Sequence, residues 1–549
     1  MVQSESEGFH YSYANGPSTV ALLGETIDAN LRRAVAKFAK REAVVDLAGG
    51  RRLTYRELDD AVDEVARGFM ARGIGIGDRV GIWAPNCVEW MLVQYASARI
   101  GAILVNINPA YRTHELEYVL RQAGIRTLVS SRGFKTSDYR AMIDQVRGSL
   151  PELLDVVYLD DLSWNDLVLG GASIHADEVV NRSNALSFDD PINIQYTSGT
   201  TGFPKGATLS HHNILNNGFF VGETCHYTEE DRICVPVPFY HCFGMVMGNL
   251  AAITHGACIV IPSPGFDPDI TLRAVQEERC TSLYGVPTMF IAELALANFT
   301  SYDLSSLRTG IMAGSPCPAE VMKKVMNEMH MDEVTIAYGM TETSPVSTQT
   351  RTDDALESRV NTVGRVHPHL EVKIVDPVTG LVVPTGTPGE LCTRGYSVMI
   401  GYWEDPEQTS EVLRRGWMHT GDLATMDEEG YVAIVGRMKD MVIRGGENVY
   451  PREIEEFLYT HPDIMDAQVI GVPDQRYGEE LMAWVRLRDG VEPLTIGALR
   501  EFCANHLSHF KIPRYLVIVD EFPMTVTGKV RKVQMREDAM RILQVELNQ

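Results

Sequence analysis

The 549-residue chain lacks several features that would assign it to a common class of protein. Its nine cysteines form no Cys-x-x-Cys pair and their number is odd, so neither a disulfide framework nor a structural zinc site is expected. Basic residues are scarce, 49 against 73 acidic residues, which gives a net charge of −24. This charge argues against a chain that mainly neutralises nucleic-acid phosphates, although a small phosphorylated ligand needs only a few local cations.

Long hydrophobic runs are also missing. The residues at the N-terminus show neither the basic start nor the apolar centre of a secretory signal, so we expect a cytoplasmic protein. Residues 233–266 contain no Asp, Glu, Lys or Arg, but prolines, histidines and an asparagine interrupt them well short of the ~20 apolar residues of a membrane-spanning helix. We interpret this stretch as buried core or the wall of a pocket, and peripheral contact with a membrane stays open.

Hydrophobic periodicity predicts that helices and strands alternate over the first 360 residues. Apolar residues recur at helical spacing in four segments, 54–72, 88–100, 114–123 and 318–330. Short apolar runs bounded by Gly, Pro or Asp lie between them, at 79–83, 102–106, 127–129, 156–159, 192–196 and 257–261. This alternation predicts an α/β fold of βαβ subdomains with parallel sheets.

The pattern changes twice further along the chain. After residue 361, short apolar runs with closely spaced turns predict a small, more antiparallel, β-barrel-like region. From residue 437, helix and strand patterns alternate again over about 110 residues, the size of an independent domain. We therefore predict a large N-terminal domain, residues 1–436, and a small mobile α+β C-terminal domain, residues 437–549.

The strongest chemical signal is the segment 196–206, YTSGTTGFPKG, which follows a predicted strand. Its glycines allow the backbone N–H groups to turn toward an anion, its hydroxyls add donors, and its lysine supplies positive charge. The spacing differs from that of the P-loop. By composition alone, a solvated turn explains the segment equally well.

Three further clusters carry polar or charged side chains, but none of them indicates a function by itself. The segment YGMTET, residues 338–343, offers an aromatic face, a hydroxyl and a carboxylate. The segment GWMHTGD, residues 416–422, ends in an aspartate that could accept two sugar hydroxyls. Near the C-terminus, TVTGK places a lysine after a glycine turn at residues 525–529.

In combination and in this order, these clusters resemble the adenylate-forming superfamily of acyl-CoA synthetases, 4-coumarate ligases, beetle luciferases and peptide-synthetase adenylation domains. The matching segments extend over nearly the whole chain and include YTSGTTGFPKGATLSHHN, PFYHCFG, AGSPCP, YGMTETSP, GELCTRGYSVMIGYW, GWMHTGD, GRMKDMVIRGGENVYPREIE and PMTVTGK. Within the superfamily the chain is most similar to medium-chain fatty-acyl-CoA ligases. The resemblance implies an acid–thiol ligase that uses ATP, Mg²⁺ and coenzyme A.

The resemblance also implies roles for individual residues on the nucleotide side. The β- and γ-phosphates of ATP would contact a set of loop residues, namely Thr197, Ser198, Gly199, Thr200, Thr201, Gly202 and Lys205. Adenine would lie against Gly314, Ser315, Pro316 and Tyr338. The ribose would contact Asp422 and Arg437, the α-phosphate Thr341, and the Mg²⁺ ion Glu342.

Catalysis and thiol entry are assigned in the same way. Lys529 would bridge the substrate carboxylate and the α-phosphate, and His241 would border the carboxylate end of the acyl pocket. Lys439 occupies the position of the hinge about which the small domain rotates. The loop that would line the coenzyme A tunnel contains Gly445, Gly446, Glu447 and Asn448.

The charge-free stretch 233–266 narrows the substrate class. A substrate amine would lie unpaired beside it, at a cost of several kcal/mol, so an apolar acid is favoured. Small residues at Gly310, Ala313 and Gly314 predict room for an extended chain, and we expect a medium-chain fatty acid. Alternatives are a ligase for aryl or other acids, an acyl-AMP ligase that loads a carrier protein, and a catalytically silent ATP-binding regulator. The sequence leaves open a monomer or a homodimer.

Overall fold

The chain forms a mixed α/β fold with a large N-terminal and a smaller C-terminal domain. The computed structural model describes residues 11–197, 204–315, 317–445, 447–504, 506–524 and 530–547. Within these residues, four principal sheets and one two-stranded ribbon are present, and the ribbon pairs Gly133–Phe134 with Ser137–Asp138.

The first sheet has seven strands and is parallel over most of its width. Its spatial order is Gly401–Tyr402, Lys205–Ser210, Pro191–Thr197, Ile103–Asn106, Arg79–Trp83, Ile125–Ser130 and Asp155–Tyr158. Only the two pairings at the Gly401–Tyr402 end are antiparallel. Such a sheet places the carboxyl ends of its parallel strands at one edge, where ligands commonly bind.

The second sheet has nine strands, with a parallel centre and antiparallel pairs at both ends. Its order is Arg365–Val366, Val346–Gln349, Glu333–Gly339, Thr309–Ala313, Ser282–Gly285, Arg232–Cys234, Cys258–Ile261, Glu42–Asp46 and Arg51–Thr54. The central strands are buried on both faces and rich in Val, Ile and Leu, as expected of parallel strands covered by helices.

The third and fourth sheets are smaller and mainly antiparallel. The third contains Tyr13–Asn15, Leu370–Val375, Gly389–Gly395, Trp417–Met426 and Leu413–Arg414 in that order, and Val432–Arg437 also pairs with Trp417–Met426. The fourth contains Glu447–Val449, Val442–Arg444, Gly478–Leu487 and Ile464–Asp474, and Tyr515–Ile518 also pairs with Gly478–Leu487. The third sheet corresponds to the region predicted to be barrel-like.

Helices cover the faces of the sheets. The α-helices are Ile27–Phe38, Tyr55–Ala71, Val88–Ile100, Thr113–Gln122, Tyr139–Arg147, Leu162–Gly170, Ala176–Asn184, His211–Thr224, Ala251–His255, Pro268–Glu278, Pro287–Leu294, Ala319–Glu328, Leu356–Asn361, Pro406–Val412, Pro451–Leu458, Ile496–Ala504 and Lys532–Leu547. Phe243–Leu250 is a π-helix, and short 3₁₀ turns include Thr341–Thr343 and Met438–Asp440.

The predicted elements agree closely with these bounds where the hydrophobic pattern is strong. The strand Arg79–Trp83 and the helix Val88–Ile100 match their predictions residue for residue. The sequence pattern predicts no strand for the segment 416–422, which lies mostly inside the ten-residue strand Trp417–Met426. Its two glycines and three polar residues obscure the alternation that would mark a strand.

The charge-free stretch 233–266 is buried over most of its length, as predicted. It contains the π-helix Phe243–Leu250, the short helix Ala251–His255 and the strand Cys258–Ile261. None of the helices in the described part of the chain combines the length and hydrophobicity needed to cross a membrane.

One carboxyl group lies in the core without any compensating contact. Glu293, on the helix Pro287–Leu294, is 1% exposed, and both of its carboxyl oxygens have no hydrogen-bond partner among the described residues. Burial raises the pKa of the Glu293 carboxyl well above its ordinary value of 4.5. The folded protein therefore holds a proton there that the unfolded chain releases above pH 4.5.

This proton predicts a pH-dependent stability difference for Glu293→Gln. Wild-type stability falls as pH rises from about 4.5 toward the raised pKa, because only the unfolded state releases the proton, whereas glutamine does not titrate. We expect the variant's unfolding free energy, relative to wild type, to increase by about 1 kcal/mol or more between pH 5 and pH 8. Urea unfolding of wild type and variant at pH 5 and pH 8 measures this difference in unfolding free energy.

Glu320→Gln is the matched control, because Glu320 is exposed on the helix Ala319–Glu328 and pairs with Lys323 at the surface. Its relative stability should change little between the two pH values. An equal response of both variants would show that Glu293 is ionised in the folded protein.

Candidate functional site

Two antiparallel strands meet at the segment predicted to bind phosphates. Thr197 ends the strand Pro191–Thr197 and pairs with Lys205, which begins the next strand. The predicted loop residues between them lie outside the described residues, namely Ser198, Gly199, Thr200, Thr201 and Gly202. The pairing fixes the two ends of the loop close together, as a loop that folds around a phosphate chain requires.

Lys205 contacts two side chains that the sequence analysis did not identify. Its ammonium group donates a hydrogen bond to Gln408 and lies 5.3 Å from the ring centre of Tyr402. Both partners are uncharged, so these contacts leave the positive charge of Lys205 available to an anion.

Glu342 lies in the 3₁₀ turn Thr341–Thr343 and is buried. Its Oε1 accepts hydrogen bonds from the Tyr402 hydroxyl at 2.8 Å and the Thr197 hydroxyl at 3.4 Å. Burial, followed by the charge of Glu342, raises the pKa of Tyr402, which keeps its hydroxyl protonated as a donor. The carboxylate is thereby held beside the end of the phosphate loop.

The predicted adenosine residues come together between two sheets. Asp422 accepts a hydrogen bond from the Tyr338 hydroxyl at 2.7 Å and forms an ion pair with Arg437 at 3.1 Å. Asp422 and Arg437 are directly opposite each other on paired strands. Burial, and then the charge of Asp422, raises the pKa of Tyr338 well above its usual range. A carboxylate in this position can accept the two hydroxyls of a ribose.

The predicted adenine segment lies next to Tyr338. Ala313 pairs with Ala337 on the neighbouring strand, so Gly314 and Ser315 continue beside Tyr338. Gly314 has a φ of +91°, a left-handed conformation that favours glycine. Pro316, the third residue predicted for this role, lies outside the described residues.

His241 lies within the charge-free stretch 233–266, two residues before the π-helix Phe243–Leu250. Its Nδ1 accepts a hydrogen bond from the backbone N–H of Phe243, the first residue of the π-helix, at 3.2 Å. The neighbouring Cys242 thiol lies 3.7 Å from the Thr341 hydroxyl. The 3₁₀ turn Thr341–Thr343 therefore contacts the apolar wall at Thr341 and the phosphate loop at Glu342.

The prediction that Gly310 leaves room for an acyl chain was wrong. A Cβ atom at Gly310 would lie 2.1 Å from the carbonyl oxygen of Leu283 and 2.3 Å from the methyl carbon of Met331. The glycine is needed for close packing of the strand Thr309–Ala313 against its neighbours, so its position contributes no space.

Residues predicted for the hinge and the coenzyme A loop lie in and next to the small domain. Lys439 is exposed and belongs to the turn Met438–Asp440. Gly445 has a φ of +61° and donates its N–H to the carbonyl oxygen of Tyr477 at 2.8 Å. Glu447 and Asn448 follow on an exposed edge strand. Gly446 and Lys529 lie outside the described residues.

Sequence reasoning missed Tyr402, Gln408 and Glu390, which contact the predicted site residues or their neighbours. All three lie in or near the segment GELCTRGYSVMIGYW, which was noted for its resemblance to the superfamily without roles for single residues. Their contacts depend on tertiary approach, since Tyr402 and Glu342 are 60 residues apart in the chain.

Two models of known protein families match this chain. The family model described as "AMP-binding enzyme" matches residues 31–403. A second model, "AMP-binding enzyme C-terminal domain", matches residues 453–529. The first match alone covers more than half of the chain. The two matches include the residues predicted for the phosphates, the adenine and the acyl pocket, as well as Lys529. The residues predicted for the ribose, the hinge and the coenzyme A loop lie between the two matches.

Individual proteins are similar over nearly their full length. The mitochondrial medium-chain acyl-CoA ligase ACSF2 of Danio rerio is 44% identical, with 96% of this chain and 90% of that protein covered. The ATP-bound structure of MatB from Rhodopseudomonas palustris has a TM-score of 0.83 at 30% identity, covering 93% of this chain and 99% of MatB. The structure of the anthranilate CoA ligase AuaEII in complex with anthranoyl-AMP has a TM-score of 0.83 at 26% identity. The match covers 94% of this chain and 98% of AuaEII.

We expect Asp422→Asn to weaken binding of AMP about tenfold, because the amide loses the charge that strengthens hydrogen bonds to sugar hydroxyls. Isothermal titration calorimetry with AMP measures this change. Asp376→Asn is the control, since Asp376 lies in an exposed hairpin of the same sheet region and contacts Thr379. A change of less than twofold for Asp422→Asn would contradict the assignment.

Proposed function

Because this chain belongs to the family of AMP-binding enzymes, we propose that it joins a medium-chain fatty acid to coenzyme A in two steps that consume ATP. In the first step, a fatty-acid carboxylate oxygen attacks the α-phosphate, and acyl-AMP and pyrophosphate form. In the second step, the thiol of coenzyme A attacks the acyl carbon, and acyl-CoA and AMP form.

One observation carries this proposal. The turn Thr341–Thr343 contacts the charge-free wall through Thr341 and Cys242, and contacts the phosphate loop through Glu342 and Thr197. An apolar acid lying along the wall would therefore present its carboxylate where the α-phosphate of a bound nucleotide lies. This placement converts a reaction between two dissolved molecules into one between oriented neighbours.

The chief obstacle to the first step is electrostatic, because a carboxylate must approach an anionic phosphate. We propose that Lys205 contacts the outer phosphates and that Lys529 lies between the carboxylate and the α-phosphate. Their positive charges reduce the repulsion and stabilise the charge that builds up on the departing pyrophosphate. Such a mechanism needs no nucleophile from the protein.

Mg²⁺ would suit the donors near the phosphate loop. Glu342 supplies a carboxylate oxygen and Thr197 a hydroxyl, and Mg²⁺ in nucleotide enzymes usually takes one or two such ligands together with phosphate oxygens and water. When bound, the ion would neutralise phosphate charge. Within the protein, Tyr402 keeps Glu342 oriented toward this position through its 2.8 Å hydrogen bond.

The second step requires a different arrangement, since a lysine over the phosphate would obstruct an incoming thiol. We propose that the small domain, residues 437–549, rotates about Lys439 relative to residues 1–436. The rotation would remove Lys529 and bring the loop with Gly445, Gly446, Glu447 and Asn448 to the acyl carbon. The left-handed conformation of Gly445 suits a backbone that lines a narrow channel.

Two observations support a fatty acid as the substrate: the charge-free wall and the names of similar proteins. The buried residues of the stretch 233–266 offer no carboxylate to pair with a substrate amine. The Danio rerio relative is named as a medium-chain acyl-CoA ligase, which supports a fatty acid of that class here.

Pyrophosphate release with octanoate, measured with and without coenzyme A, tests the proposal. We expect slow release without coenzyme A, faster turnover with it, and octanoyl-CoA as the product. Adenylate without thioester would identify a ligase for another thiol acceptor. No release with any acid of a panel that includes aryl acids would indicate an ATP-binding protein without ligase activity.

Lys529→Ala separates the two steps. We expect it to reduce adenylate formation at least a hundredfold, because the approaching anions lose their shared cation, and to change thioester formation from supplied octanoyl-AMP by less than threefold. Single-turnover assays of each step measure both rates, and Lys532→Ala, whose lysine pairs with Glu455, is the control. An equal loss in both steps would contradict the domain rotation.

A further inference from the structure

The segment that presents Asp422 leaves the regular sheet ladder. On the pair formed by Gly389–Gly395 and Trp417–Met426, Cys392 lies opposite His419 and Glu390 lies opposite Leu423. Three residues, Thr420, Gly421 and Asp422, therefore face the single residue Leu391, which makes a bulge. A bulge loses ladder hydrogen bonds, so its conformation must be fixed by other contacts.

Gly421 shows how far the bulge departs from a strand. Its φ is +71°, and a Cβ atom built on it would have no atom within 4 Å. Hydrogen bonds to neighbouring residues constrain this turn. The hydroxyl of Thr420 accounts for part of the constraint, since it donates to the carbonyl oxygen of Leu391 at 2.7 Å and accepts from the N–H of Asp422 at 3.1 Å.

Glu390 supplies the remaining contacts from the opposite strand. Its Oε1 accepts a hydrogen bond from the backbone N–H of Gly421 at 3.2 Å, and its Oε2 lies 2.8 Å from Nδ1 of His419. The Glu390 side chain is 12% exposed and that of His419 is 17% exposed, so water competes little for these bonds. One carboxylate thus ties together both ends of the turn that leads into Asp422.

A third side chain, that of Cys392, lies against His419 and makes no contact with Gly421 among those described. The Cys392 thiol lies 3.4 Å from Nδ1 of His419, and burial raises its pKa to about 12. Glu390, Cys392 and His419 each place a possible metal-ligand atom within 4.8 Å of the others. The contacts of Nδ1 of His419 with Glu390 and Cys392 account for this arrangement without an ion.

We infer that Glu390 is a positioning residue for the nucleotide site, acting through His419 and Gly421 to hold the Asp422 carboxylate where it meets the ribose. This inference rests on the proposed function, in which Asp422 binds the ribose hydroxyls. Holding the carboxylate in place before the nucleotide arrives avoids an ordering cost on binding. Glu390 therefore acts on nucleotide affinity rather than on the chemical steps.

Steady-state kinetics of Glu390→Ala test the inference. We expect the KM for ATP to increase about tenfold while kcat and the KM for octanoate change less than threefold. Glu390→Gln should restore the KM for ATP to within about threefold of wild type, because its amide oxygen can still accept from Gly421. An unchanged KM for ATP in Glu390→Ala, or equal losses in kcat, would overturn the inference.

A double-mutant cycle distinguishes action through Asp422 from general damage. We expect Glu390→Ala to alter the KM for ATP less than twofold when Asp422 is already replaced by alanine. A full tenfold effect in that background would show that Glu390 acts elsewhere and would overturn the inference. If Asp422→Ala alone left the KM for ATP unchanged, the ribose assignment, and with it the proposed function of the site, would fail separately.

Folding of the variants is checked by their thermal unfolding midpoints. His419→Ala removes only one of the two contacts of Glu390 and provides a second route if Glu390→Ala does not fold. We expect it to increase the KM for ATP about threefold with kcat unchanged. The inference would be overturned if His419→Ala left the KM for ATP unchanged and Glu390→Gln also failed to restore it.

Discussion

The architecture of the site depends on the contacts that the Asp422 carboxylate makes with Tyr338 and Arg437. This carboxylate joins Tyr338 of the nine-stranded sheet to Arg437 at the end of the antiparallel sheet, and Arg437 lies two residues before Lys439. Two sheets and the start of the small domain therefore converge on one charged group. A partly buried carboxylate is stabilised by such donors, so the residues that satisfy its charge also fix the position of Asp422.

A second link connects the nucleotide and acid sides. The turn Thr341–Thr343 follows one residue after the strand that carries Tyr338, so a shift of that strand would move both Tyr338 and the contact with the apolar wall. Glu342 and Lys205 are further connected through Tyr402. Within the described part of the chain, Lys205, Tyr402, Glu342 and Thr197 thus form one network of contacts. The turn Thr341–Thr343 connects this network to Cys242 of the wall.

Much of the fold could be predicted because buried parallel strands and amphipathic helices leave strong periodic signals, as at Arg79–Trp83 and Val88–Ile100. The strand Trp417–Met426 was missed because its bulge and its glycine break the alternation. Gly310 was misread because a missing side chain can signal either open space or close packing, and only the position of Leu283 decides. Glu390 and Tyr402 were not identified, since their partners are distant in sequence.

The central claim is that Asp422, Tyr338 and the turn Thr341–Thr343 form one pocket for an acyl-adenylate. A crystal structure with the non-hydrolysable analogue 5′-O-(N-octanoylsulfamoyl)adenosine tests it most directly. We expect the ribose hydroxyls on the Asp422 carboxylate, adenine against Tyr338, the sulfamoyl group beside Thr341, and the octanoyl chain along the charge-free wall next to His241. An analogue bound with its adenosine away from Asp422, or with its acyl chain directed to solvent, would contradict it.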